Sequence, residues 1–105
     1  MTDTAARKAQ LESRREELLA RMAEVDRELD SHTSKDWEDS ATEREDDEVL
    51  ERMGAAARAE VAQIDAALGR IAAGDYGHCA RCGSDIAEAR LDLVPFTPLC
   101  QTCAR

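Results

Sequence analysis

The stretch DYGHCARCGSDIAEARLDLVPFTPLCQTC, residues 75–103, contains all four cysteines of the 105-residue chain. They form two pairs, Cys79-Ala-Arg-Cys82 and Cys100-Gln-Thr-Cys103, with seventeen residues between the pairs. Two residues between cysteines let both sulfurs of a pair reach one metal ion, and two such pairs supply the four thiolates of a tetrahedral structural zinc site. Gly83, directly after the first pair, suits the left-handed turn that such a loop needs. The spacing therefore predicts one structural Zn²⁺ ion bound by Cys79, Cys82, Cys100 and Cys103.

The same cysteines could instead form two disulfides, remain as four free thiols, or carry out redox chemistry at either C-x-x-C pair. Stable disulfides are disfavoured in the cytosol, where cellular thiols keep cysteines reduced. His78 adjoins the first pair, but four thiolates already complete the coordination shell, so we expect it to be a turn residue. A closed four-thiolate site leaves no position for water or substrate, and we therefore expect no catalytic role for the metal.

Apolar residues that recur every seven positions predict two long helices ahead of the cysteines. Residues 5–31 contain Leu11, Leu18 and Val25, although Arg15 interrupts this stripe. The second stripe, in residues 42–73, consists of Leu50, Ala57, Ile64 and Ile71, together with Val61 and Leu68. Both segments are rich in good helix formers and lack proline. Two heptad segments joined by a short connector predict an antiparallel coiled-coil hairpin, with pairing between two chains as the alternative.

The predicted fold class is all-α dominated, with a long antiparallel helical hairpin and a small C-terminal four-cysteine zinc-finger module. We assign the hairpin to residues 1–74, with an acidic tip at 31–45, and the module to residues 75–105. Gly74 stands where the second helix should end. Ser40 and Glu43 form a capping box that places the start of this helix near Ala41. In the module, the metal would replace a core that some thirty residues are too few to build.

The charge of the chain is strongly negative and locally concentrated. Residues 36–51 account for −8 of the net charge of −9. Nucleic-acid binders gain affinity by neutralising phosphates, and residues 75–105 hold three Arg against four acids, so we expect no sequence-specific DNA binding. The chain lacks a membrane-length apolar run and a signal-peptide core, which predicts a cytoplasmic protein. No catalytic Ser/His/Asp set, phosphate loop or open metal site is visible, and we expect no enzyme activity.

These features together resemble the bacterial DksA/TraR-type four-cysteine zinc-finger transcription regulators. The zinc region matches as Asp75-Tyr-Gly-x-Cys-x-x-Cys-Gly, followed by Ile86, Arg90-Leu91, Pro95 and Leu99-Cys-x-x-Cys. A heptad hairpin precedes it, and the connector contains Asp36-x-x-Asp39-x-Ala41, similar to the Asp-x-x-Asp-x-Ala motif at the family's coiled-coil tip. The resemblance covers roughly residues 10–103.

The resemblance implies a protein that binds RNA polymerase directly and inserts the hairpin into the secondary channel. Asp39 would be the principal tip residue, supported by Asp36 and Ala41, and the effect would be an altered stability of promoter open complexes in stringent-response control. The resemblance also implies that this chain acts together with ppGpp, which longer members bind with the help of basic residues. The positions that match them here are Gln63, Val94 and Ala104, none of which is basic.

Two further expectations stay open at the level of sequence. Arg90 could contact either the polymerase or the chain's own fold. The alternative function is a zinc- or thiol-based redox or metal sensor that uses the two C-x-x-C pairs.

Overall fold

Two long helices make up most of the computed structural model, which describes residues 3–32 and 40–104. Helix α1 spans Thr4–His32 and helix α2 spans Ser40–Ala73. Both lie within two residues of the predicted bounds, so the heptad interpretation is confirmed. Side chains are described for residues 3–30 and 47–104, and the predicted capping box of Ser40 and Glu43 falls outside that set.

The start of α1 and the end of α2 both carry capping hydrogen bonds. At the start of α1, the Asp3 carboxylate accepts a hydrogen bond from the Ala6 N–H at 3.1 Å. After α2, Gly74 has φ +80°, its N–H bonds to the Ile71 carbonyl, and the Asp75 N–H bonds to the Arg70 carbonyl at 2.8 Å. This pair of bonds is a Schellman motif, which ends a helix at a left-handed glycine. The predicted terminating role of Gly74 is therefore confirmed.

The chain divides into two compact units, and each contains a part of both long helices. We call Met1–Arg15 with Ala62–Arg105 the terminal unit, and Glu16–Val61 the central unit. In the terminal unit Arg15 Nε lies 2.6 Å from Asp65 Oδ1. In the central unit a Cβ built on Gly54 would lie 3.5 Å from Val25 Cγ1. Since residue numbers rise on one helix as they fall on the other, α1 and α2 run antiparallel, as a hairpin.

The central unit has a thin core. Leu18 and Val25 of α1 are buried, with Ala57 and Gly54 of α2. A small residue such as Gly54 lets the helices approach closely but adds little apolar area. Val49, by contrast, is 47% exposed. We therefore expect modest hydrophobic stabilisation in this unit, because stabilisation scales with the buried apolar area.

The terminal unit has the larger core, to which the helices and the cysteine-containing region both contribute. Its buried apolar residues are Leu11, Ile64, Ala67, Tyr76, Cys79, Ile86 and Leu91. Arg15, which interrupts the apolar stripe of α1, makes its ion pair with Asp65 of α2 instead of entering this core. The interruption that the sequence shows is thus a polar contact between the two helices.

Beyond Gly74 the described chain consists of turns and one short helix, α3, at Glu88–Leu93. An isolated antiparallel bridge joins His78 to Asp85, and residues 3–32 and 40–104 contain no strand. The predicted all-α class is therefore confirmed. The predicted boundary at residue 74 remains a prediction. So does the predicted tip at 31–45, none of whose side chains is among those described.

Candidate metal centre

The sulfur atoms of Cys79, Cys82, Cys100 and Cys103 all lie within 4.8 Å of one another. A tetrahedral zinc ion with Zn–S bonds of about 2.3 Å would separate its sulfurs by about 3.8 Å. The measured distance between Cys82 Sγ and Cys100 Sγ, which belong to different pairs, is 3.7 Å. In both donor chemistry and spacing, the four cysteines are positioned to bind one metal ion.

The first cysteine pair lies in a tight turn fixed by backbone hydrogen bonds. The Gly83 N–H donates to the Cys79 carbonyl at 2.9 Å, and Gly83 has φ +78°. The Cys79 N–H donates in turn to the Ser84 carbonyl at 2.7 Å. The predicted left-handed conformation of Gly83 is therefore confirmed.

The second pair is closed in the same way and is tied to the first. The Ala104 N–H donates to the Cys100 carbonyl at 3.0 Å. The Ala80 N–H, between the two cysteines of the first pair, donates to the Pro98 carbonyl at 2.8 Å, two residues before the second pair. This cross-link brings together cysteines that are separated by seventeen residues.

The electrostatics of the four thiols are unequal. Backbone N–H groups of Cys100 and then Cys82 lower the pKa of Cys79 to about 6. The hydroxyl and backbone of Ser84 lower the pKa of Cys82. Hydrogen bonds to the sulfurs of Cys100, Cys79 and Cys82 raise the pKa of Cys103 to about 12. The site therefore favours thiolates at its first pair, whereas ionising the fourth sulfur calls for a cation at the centre.

Arg90 of α3 holds the backbone that leads into the second pair. Its Nε donates to the Leu99 carbonyl at 2.9 Å, and its Nη2 lies 3.3 Å from Thr97 Oγ1. Thr97, which is buried, also bonds to the backbone of Leu99. Of the two roles that the sequence left open for Arg90, a contact with the chain's own fold is the one observed.

Tyr76 and Arg70 bind the backbone a few residues earlier, at the start of the segment 95–99 that leads into the second cysteine pair. The Tyr76 hydroxyl donates to the Pro95 carbonyl at 2.7 Å, and Arg70 Nη2 donates to the Phe96 carbonyl at 2.9 Å. Burial raises the pKa of Tyr76 and lowers that of Arg70. Sequence reasoning missed Arg70 and Thr97, because hydrogen bonds to backbone carbonyls leave no spacing pattern.

His78 lies beside the cysteines without joining them. Its Nδ1 is 2.8 Å from Asp85 Oδ1, and this contact accompanies the backbone bridge between the same two residues. Within the described ranges the group of possible metal ligands consists of the four cysteines alone. The placement agrees with the expectation that His78 is a turn residue.

The predicted tip residues fall on another part of the chain. Asp36 and Asp39 lie outside the described residues, and Ala41 is in the first turn of α2, where side chains are not described. Their predicted role therefore remains a prediction.

Two family models match the chain along most of its length. Residues 8–71 match the DnaK suppressor protein-like N-terminal domain, and residues 74–105 match the prokaryotic dksA/traR C4-type zinc finger. The chain belongs to the DksA/TraR family. The resemblance drawn from its motifs is thus confirmed, and so is the expectation of one zinc ion, since the family's C4-type finger coincides with the four gathered cysteines.

Relatives of this DksA/TraR member include named and unnamed proteins. The chain is 37% identical to the "RNA polymerase-binding transcription factor DksA" of Caulobacter vibrioides over 82% of its own length and 67% of that protein. This chain is also 39% identical to an uncharacterized protein of Aquifex aeolicus over 71% of its own length. That match spans about half (52%) of the Aquifex protein.

Solved structures of the family share its fold. The transcription factor DksA2 from Pseudomonas aeruginosa aligns with a TM-score of 0.89 and 31% identity, covering 96% of this chain and 79% of that one. The solution structure of DnaK suppressor protein from Agrobacterium tumefaciens aligns with a TM-score of 0.68 and 40% identity, covering 99% of this chain and 93% of that one. None of the helices in the described ranges combines the length and apolarity that a bilayer crossing requires.

Proposed function

We propose that this chain is a bacterial transcription regulator that binds RNA polymerase directly. The observation that carries the proposal is the match over 82% of the chain to a relative named as an RNA polymerase-binding transcription factor. Support comes from the two family models, which together cover the helical hairpin and the cysteine module. Its negative charge fits a protein partner better than direct binding to DNA.

The contact with the polymerase that we propose is made by the connector between α1 and α2. The sequence there carries Asp36-x-x-Asp39-x-Ala41, similar to the family's tip motif, within a segment that holds nearly all of the chain's net negative charge. The tip of the hairpin would enter the secondary channel of the polymerase. Asp39 would then act near the polymerase active site, supported by Asp36 and Ala41. Binding one polymerase state more tightly than another would then shift the lifetime of promoter open complexes.

In this proposal the metal stabilises the fold. Cys79, Cys82, Cys100 and Cys103 would be its four ligands, and a closed tetrathiolate site supplies folding free energy without a position for substrate. We accordingly propose a non-enzymatic, cytoplasmic protein with a hairpin to residue 74 and a zinc-finger module from residue 75.

The alarmone ppGpp is proposed as a weaker co-regulator than in longer members of the family. The positions matched to the basic alarmone contacts are Gln63, Val94 and Ala104, and neutral side chains there cannot form ion pairs with phosphates. We expect the effect of this chain on the polymerase to persist without ppGpp.

A binding measurement with purified bacterial RNA polymerase tests this function. The zinc-loaded chain, labelled at its amino terminus, is titrated with polymerase in the wild-type, Asp39→Asn and Asp26→Asn forms. Asp26 is an exposed residue of α1, so its substitution makes the same charge change away from the tip. We expect the wild-type chain to bind polymerase saturably. Asp39→Asn should alter this binding, and Asp26→Asn should leave it unchanged. A chain that carries zinc and fails to bind polymerase would refute the proposal.

A further inference from the structure

One arginine near the amino terminus reaches across the sequence to the cysteine module, within the terminal unit. Arg7 Nη2 lies 2.9 Å from Glu88 Oε2 and 2.6 Å from Asp92 Oδ1. Glu88 and Asp92 stand four residues apart on α3 and therefore share one face of that helix. A single guanidinium thus joins the first turns of α1 to both ends of one face of α3.

The Arg7 side chain is largely buried and makes polar contacts with several partners. It is only 12% exposed, and its Nη1 donates to Gln10 Oε1 at 3.0 Å, which orients the guanidinium. Burial disfavours the charged form, but the bonds to Asp92 and Glu88 outweigh it and raise the pKa of Arg7. The neighbouring Lys8 is different, since its side chain is 59% exposed and lies 3.9 Å from Glu12 on the same helix.

Helix α3, which receives Arg7 on one face, is also connected to the metal centre. Arg90, between Glu88 and Asp92, donates to the carbonyl of Leu99, the residue immediately before Cys100. Leu91, on the same helix, is fully buried. Helix α3 is therefore tied to the backbone of the second cysteine pair, and we expect the fold of that pair to depend on the metal, because structural zinc binding and folding are coupled.

We propose that Arg7 is a metal-dependent latch, which holds the first turns of α1 on the cysteine module and releases them when the metal is lost. Coupling of this kind is reciprocal: a metal that strengthens the latch must itself be bound more tightly when the latch is intact. This latch lies within the terminal unit alone and acts whether or not polymerase is bound. It gives the amino-terminal turns of α1 a conformation that reports metal occupancy.

The full zinc-loaded chain provides the test, with two measurements on each variant. Amide hydrogen exchange at residues 8–12 reports on the first turns of α1, and competition with a chromophoric chelator reports on zinc affinity. Arg7→Ala should speed that exchange and raise the zinc dissociation constant, each about three- to tenfold, as expected for charge-assisted bonds to half-exposed carboxylates. Lys8→Ala is the matched control; it removes one exposed ion pair within α1 and should change either measurement by less than about twofold.

A second variant distinguishes the latch from a general loss of stability. The double substitution Glu88→Gln with Asp92→Asn removes the acceptor charges from the α3 side and should reproduce both effects. Adding Arg7→Ala to it should then change little further, because the interaction is already broken. Additive effects would overturn the proposal. So would a metal-free wild-type chain that keeps its protection at residues 8–12, or an Arg7→Ala chain that behaves like Lys8→Ala.

Discussion

Leu91 and Leu93 lie two positions apart on α3 and differ almost completely in burial. Leu91 is 0% exposed, whereas Leu93 is 84% exposed. Replacing a buried leucine by alanine removes three carbon atoms from the core, at about 0.8 kcal/mol each, and leaves a cavity that adds to the cost. We expect Leu91→Ala to destabilise the terminal unit by about 2.5–5 kcal/mol. Leu93→Ala should cost less than about 0.5 kcal/mol, as surface substitutions do.

Hydrogen exchange of the zinc-loaded chain measures this difference locally. The Ile86 N–H bonds to the Gly77 carbonyl at 2.8 Å, so its exchange reports on opening of the module. Free zinc must be held constant between variants, because metal binding adds to the apparent stability by mass action. If Leu93→Ala cost as much as Leu91→Ala, or if Leu91→Ala cost under about 1 kcal/mol, the assignment of Leu91 to the core would be refuted.

Three further perturbations test the metal centre and the backbone. Chelating the zinc should unfold the module and leave much of the helical signal, which circular dichroism at 222 nm will show; a complete loss of helix would mean that the hairpin depends on the metal too. An added Cβ meets nothing within 4 Å at either Gly69 or Gly83, so only the backbone conformation should decide the effect of alanine there. Gly69→Ala, in α2, should raise the free energy of unfolding by about 0.5–1 kcal/mol. Gly83→Ala, at φ +78°, should lower it by roughly 1–2 kcal/mol. Urea denaturation measures both changes, and a change of the same sign in the two variants would contradict the prediction. At limiting free zinc, zinc occupancy should fall as the pH is lowered from about 7 to about 5, because protons compete with zinc for the Cys79 thiolate, whose pKa is about 6. Constant occupancy across this range would argue against thiolate ligation.

Sequence patterns predicted those parts of the molecule that repeat or recur at fixed spacing. Leu11, Leu18 and Val25 are buried as the heptads predict. Gly74 and Gly83 adopt the positive φ that their positions require, and the four cysteines gather as their spacing predicts.

Features that depend on tertiary context were beyond the sequence. Helix α3 has six residues, too few to show a period. The bonds of Arg70 and Arg90 end on backbone carbonyls, which any residue supplies. Arg7 pairs with acids more than eighty positions away, and local charge patterns carry no trace of such a pair.

The most direct test of the proposed function is the lifetime of open complexes at a ribosomal RNA promoter, measured with purified bacterial RNA polymerase. Wild-type chain, the Asp39→Asn variant and the Asp26→Asn control are compared, each with zinc confirmed bound. We predict that the wild-type chain and the control shorten the lifetime and that Asp39→Asn does not. An unchanged lifetime with all three proteins would contradict the proposal that this chain regulates transcription through the acidic tip of its hairpin.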